Sequence, residues 1–152
     1  MSFKDWILLL VPIFCNGVFV FSLQKMHEKK QLINSIKYEY ASILREKIDI
    51  SLKLHAKATR LANEDNNGND GLIAKTIQEY VDSVLDVYYY YVQNKIIFNS
   101  LDSKFELLSA YIMELTDCSH KTKVDLVQFS SIFNKIRDEL MDIKNKCINL
   151  VF

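Results

Sequence analysis

Apolar residues crowd the start of this chain and thin afterwards into regularly spaced stripes. From Trp6 to Leu23 no side chain is charged, with Asp5 before the run and Lys25 after it. Eighteen residues in a helix rise about 27 Å, close to the ~30 Å hydrocarbon thickness of a bilayer. The pattern predicts a single transmembrane helix, with residues 1–24 as an anchor and 25–152 as a separate bundle domain. A cleaved signal peptide fits less well. The downstream flank Val18-Phe19-Val20-Phe21 is bulky, where cleavage sites carry small residues. Cys15 invites a lipoprotein reading, but Phe14 precedes it.

Beyond the run the spacing becomes helical. Ile36, Tyr40, Ile43, Ile50, Leu54 and Leu61 form one stripe at intervals of three, four or seven, broken by Lys47, and predict a first helix over Gln24 to Ala62. The polar stretch 63–71, from Asn63 to Gly71, ends it, because Asn and Asp side chains compete for backbone hydrogen bonds and glycine tolerates positive φ. A second helix, Leu72 to Phe98, carries Ile73, Ile77, Val84, Tyr88 and Tyr91 on one face and Val81, Leu85, Val87, Tyr89 and Val92 on others. A helix apolar over most of its circumference has neighbours on most sides, which predicts the central helix of a bundle. Ser103 with Glu106 three residues on predicts a capping box opening a third helix that ends near Thr116, with Phe105, Leu108, Ile112 and Leu115 inward. The fourth helix has the cleanest seam: Leu126, Phe129, Phe133, Ile136, Leu140, Ile143, Cys147 and Leu150, a three-four alternation suited to a bundle or coiled coil.

Glycine occurs only at 17, 68 and 71 and proline only at 12, so β-hairpins lack their usual turn residues. The fold class expected is all-α: a membrane-spanning helix feeding an antiparallel bundle of about four helices. At ~1.5 Å per residue, alternating helices of these lengths return the C-terminus near the level at which the first one starts.

Charge sets the orientation. Lys4 stands alone before the run, while Lys25, Lys29, Lys30 and Lys37 follow it, which predicts an outside N-terminus and a cytoplasmic bundle on the inner membrane. Lys25, Lys29 and Lys30 form a juxtamembrane basic cluster facing lipid headgroups, diluted by Glu28. Overall charge is balanced, with 19 basic and 19 acidic residues, which argues against electrostatic nucleic-acid binding. Cys15, Cys118 and Cys147 show no disulfide framework.

Candidate chemistry is sparse. The loop resembles a calcium-binding EF-hand loop at Asn63, Asp65, Asn67 and Gly68, but Ala74 stands where the bidentate glutamate belongs. Asp117, Cys118 and His120 make at most part of a zinc site. His27, His55 and His120 lie beside no sequence-visible nucleophile and orienting acid, and three glycines cannot build a phosphate loop. No enzyme, metal or cofactor is expected. Tyr88 and Tyr91 are expected in the core, Tyr89 and Tyr90 as a possible partner surface. Within the span Asn16, beside Gly17, predicts self-association, because an amide in hydrocarbon needs a hydrogen-bonding partner, although Pro12 frees a nearby carbonyl that competes.

These readings predict a membrane-anchored, non-enzymatic interaction or scaffold protein that contacts the lipid bilayer, copies of itself and a protein partner. The alternative is a membrane-perturbing effector, of toxin, holin or defence type, whose soluble bundle controls oligomerisation. A lone span without charge lines a pore poorly, which places this second. The lysine asymmetry is checked by fusing a reporter that works only outside the cytoplasm after Phe152; it is expected to be silent, and activity overturns the orientation.

Overall fold

The computed structural model describes residues 3–64, 70–119 and 125–149, with side chains described at 19–63, 71–118 and 125–148. The described residues form α1 (Phe3–Glu64), α2 (Asp70–Gln93), a 3-10 turn (Asn99–Leu101), α3 (Asp102–Ser119) and α4 (Leu126–Asn149), with no strand among them. The all-helical bundle expected from the sequence is present. Two compact units divide the chain, Met1–Lys37 and Tyr38–Phe152, so the boundary falls inside α1 and later than residue 24.

In the first unit the described side chains from Phe19 onward are exposed. The Lys25 ammonium sits 5.0 Å from the centre of the Phe21 ring. Among the described residues no helix is long and apolar enough to cross a membrane. Most of the run expected to do so, residues 6–18 with Asn16 and Gly17 among them, lies outside the residues whose side chains are described.

In the second unit, side-chain pairs give the helix directions. Between α1 and α2, Tyr40 meets Tyr90, Lys47 meets Asp86 and His55 meets Tyr80, so the partners descend as α1 ascends. Between α3 and α4, Lys104 pairs with Glu139 and Asp142, and Tyr111 with Lys135. Between α1 and α4, Asp49 pairs with Lys144 and His55 stacks on Phe133. All three ladders are antiparallel, so the chain runs up and down, and α4 returns beside α1. The most extensive backbone contact between helices is that of α3 with α4.

The core follows the expected seam in α4: Phe133, Ile136, Leu140, Ile143 and Cys147 are buried, joined by Ile132. Only the start departs, with Phe129 half-buried and Leu126 76% exposed. Leu150 lies outside the described residues. In α3, Phe105, Leu108 and Leu115 are buried and Ile112 is half-buried.

Three local expectations are corrected. In α1 the core stripe is Ala41, Leu44, Ile48, Ser51, His55 and Ala58, a three-four alternation, about 110° round the helix from the isoleucines that the sequence favoured. Ser51 is accommodated on the inner face because its Oγ donates to the Lys47 carbonyl within the helix, at 3.2 Å. Second, α2 ends at Gln93. The Asn94 side-chain amide donates to the Tyr90 carbonyl at 2.9 Å, and successive tight turns carry the chain to buried Phe98 and Leu101. Third, α3 starts at Asp102 directly after the 3-10 turn, so Ser103 lies inside the helix and does not cap it. An N-cap does exist on α4, where Asp125 Oδ1 accepts from the amides of Val127 and Gln128 at 3.0 and 3.1 Å.

Helix two is less enclosed than expected. Tyr80, Val84, Val87 and Tyr91 are buried, but Leu72, Tyr89 and Val92 are exposed. Replacing buried Ile136 by Asp is expected to cost about 4 kcal/mol of stability by placing an unpaired charge among apolar atoms. Asp138→Ala, which removes an exposed ion pair with Arg137, is expected to cost less than about 0.5 kcal/mol. Chemical denaturation followed by tyrosine fluorescence checks both, and similar losses would overturn this phase of α4.

Candidate functional site

A concavity of the second unit lies between α1 and α4. Leu52, His55, Ala56, Thr59, Arg60 and Asn63 line it from α1, and Arg137, Met141, Lys144 and Asn145 from α4, around a cavity of 680 Å³. On α1 these positions recur at helical spacing along one face, and on α4 Arg137, Met141 and Lys144 do the same. Three cations and no carboxylate stand in its lining. Arg137 reaches Asp138 with Nε at 2.9 Å and Nη2 at 2.6 Å, Lys144 pairs with Asp49, and Arg60 is engaged as well, so none of the three cations is free.

His55 forms part of the wall and is only 4% exposed. Its ring stacks on Phe133 at 4.5 Å between centres and meets Tyr80 edge-on at 5.4 Å; Tyr80 and Phe133 lie 4.6 Å apart. One ring from each of α1, α2 and α4 thus meets at a single point. His55 Nε2 and the Tyr80 hydroxyl are both buried without a hydrogen-bond partner, which favours their uncharged forms. Burial, and then the Arg137 guanidinium, hold the His55 imidazole below its ordinary pKa, partly offset by Asp138 and Asn134. Burial raises the Tyr80 phenol.

Other titratable clusters are structural. Lys104 joins Glu139 at 3.2 Å and Asp142 at 2.6 Å, and the Lys104 hydrogen bond lowers the Asp142 carboxyl. Cys118 and Cys147 are buried free thiols, and burial pushes Cys147 up to about 11, which makes it inert at neutral pH. Among the described residues no group of His, Cys, Asp and Glu could hold a metal ion. Asp65, Asn67, Gly68 and His120, from the calcium and zinc readings, lie outside the described residues.

The residues singled out by sequence fall in different places. Lys25, Lys29 and Lys30 are exposed on the first unit. Tyr89 is 58% exposed, whereas Tyr90 is half-buried, its ring against Tyr40 and Phe98 and its hydroxyl donating to the Tyr40 carbonyl at 3.4 Å. Tyr91 is buried, stacked on Phe105 at 3.8 Å with its hydroxyl on Asp102. The sequence pattern does not unite Arg60, Arg137 and Lys144 as a group. The available signal was the seven-residue spacing of Arg137 and Lys144 around Met141, legible only once α1 is known to lie beside α4.

The buried imidazole is expected to give the bundle a pH dependence. Tyr80 from α2 and Phe133, Asn134, Arg137 and Asp138 from α4 surround it. An unfolded histidine takes up a proton near 6.5, whereas folded His55 resists, so its contribution is complete above about pH 6.5 and is lost as pH falls toward the lowered folded value. The melting temperature is expected to drop by roughly several degrees from pH 7.5 to 5.5, and His55→Phe to flatten that slope. An unchanged slope in the variant would show that His55 does not set it. No family model, no curated protein and no solved structure matches this chain.

Proposed function

We propose that the chain is a membrane-anchored, non-enzymatic interaction protein that self-associates and presents its helical bundle to protein partners on the cytoplasmic side. The observation that carries this reading is the second apolar stripe of α1. Ala41, Leu44, Ile48 and Ala58 face the core, yet Ile43 and Ile50, one heptad apart, stay 37% and 48% exposed on a different face. A helix apolar on two faces packs against two sets of neighbours, and one set is absent from a single chain.

A second copy fits that vacancy. The uncharged run Trp6–Leu23 supports membrane insertion, and the lysines after it support a cytoplasmic bundle. Two anchored copies are parallel, and a seven-residue repeat then brings Ile43 opposite Ile43 and Ile50 opposite Ile50 about a two-fold axis. Asn16 in the span would strengthen the pairing through amide hydrogen bonds of about 0.6 to 2 kcal/mol each. Tyr89, exposed on α2, offers an aromatic contact to a further partner.

Cysteine crosslinking in native membranes tests this. Ile43→Cys and Ile50→Cys are each expected to give a disulfide-linked dimer, while Lys75→Cys, exposed on α2, stays monomeric. Equal crosslinking at all three sites, or none at Ile43 and Ile50, would overturn the α1 pairing.

A further inference from the structure

We propose that Asp86 is a positioning residue for self-association: it draws the charge of Lys47 off the Ile43–Ile50 stripe and onto α2, which leaves the stripe fit for pairing. This rests on the reading that two copies meet in parallel along α1. Lys47 is the residue that breaks the apolar stripe in the sequence. Four residues after Ile43 and three before Ile50, it is the surface neighbour of both on the helix. A parallel two-fold pair sets Ile43 opposite Ile43 and Ile50 opposite Ile50, so the two Lys47 side chains stand at one level between those contacts. A free ammonium there loses hydration as the isoleucines close, and its twin repels it.

Lys47 is restrained from the α2 side. Its Nζ lies 2.6 Å from Asp86 Oδ2 and 5.6 Å from the centre of the Tyr90 ring. Both contacts come from the neighbouring helix, so both draw the ammonium toward α2. The Lys47 side chain is 28% exposed and that of Asp86 61%, so the acid neutralises the cation while keeping most of its own hydration. An ion pair this open to solvent adds little to the stability of one copy. Its effect falls on association, because burying the stripe is the step in which Lys47 loses water.

Glu46, exposed on the opposite flank of the stripe, defines the competing arrangement. If Lys47 belonged to Glu46 of a second copy, removing the charge of Asp86 would release it and strengthen pairing. If Asp86 shields the stripe, the same change weakens pairing. The contacts within one chain favour shielding, since Lys47 is already held at two points on α2.

Sedimentation equilibrium of the full chain in detergent micelles reads the monomer–dimer constant. Asp86→Asn is expected to weaken pairing roughly fivefold. The double variant Lys47→Met/Asp86→Asn removes the ammonium but keeps a long apolar side chain. It is expected to return the constant to the parent's, a rescue that general damage to α2 would not allow. Asp82→Asn makes the same charge change one turn earlier on α2, where Asp82 accepts from Gln78 at 2.9 Å, and is expected to pair as the parent does. Unchanged or stronger pairing in Asp86→Asn, or a double variant as weak as Asp86→Asn alone, would overturn the proposal. A parent that stays monomeric overturns the α1 pairing and the proposal with it, whereas a dimeric parent indifferent to Asp86 overturns the proposal alone.

Discussion

One ring from each of α1, α2 and α4 meets in the contact around which the bundle is packed. His55 lies where α1, α2 and α4 converge, and its ring contacts Tyr80 and Phe133, which also contact each other. Aromatic pairs at these separations contribute beyond their buried area, and three mutual contacts fix the rotation of all three helices together. Burial without a partner for Nε2 favours the neutral imidazole, and the Tyr80 hydroxyl beside it is likewise without a partner. A leucine there would pack without pH sensitivity but would not define one rotation so narrowly. The polar atoms thus cost stability and add specificity.

The histidine also explains which parts of the fold were legible. Helix four was readable because its seam is built of large apolar residues in strict alternation, and Phe133, Ile136, Leu140, Ile143 and Cys147 all point inward. Helix one was not, because Leu44 and Ile48 on its inner face are flanked by Ala41, Ser51, His55 and Ala58 while Ile43 and Ile50 lie outside. Hydrophobic periodicity ranks residues by size and apolarity, so it followed the outer stripe. Helix three was legible in its core but not in its start. The Ser103-Glu106 spacing matched a capping box, yet the chain enters through a 3-10 turn fixed by buried Phe98 and Leu101. The groove cations are spread over two helices far apart in sequence, so no local pattern could unite them.

The outward placement of Ile43 and Ile50 has a physical consequence. Burying an isoleucine contributes about 1.5–3 kcal/mol, so a chain that places two isoleucines outside and a histidine inside forgoes stability within the single copy. Selection for a monomeric bundle alone would tend to reverse those positions. The distribution is economical if the outer stripe is buried in an assembly, where the same apolar area contributes to association. Ile43 and Ile50 fall one heptad apart, which is the repeat that pairing of helices requires.

The three faces of α1 in the second unit then divide the work. One face carries the core through Leu44, Ile48 and His55; the second carries the outer isoleucines; the third, with Leu52, Ala56 and Arg60, lines the groove. His55 belongs to the core and to the groove wall at once. Burial among Tyr80 and Phe133 and the Arg137 guanidinium disfavour its protonation, whereas Asp138 and Asn134 favour it. Opposed influences from the core and from α4 thus meet in one ring, and burial decides the sign because the imidazole has little access to water.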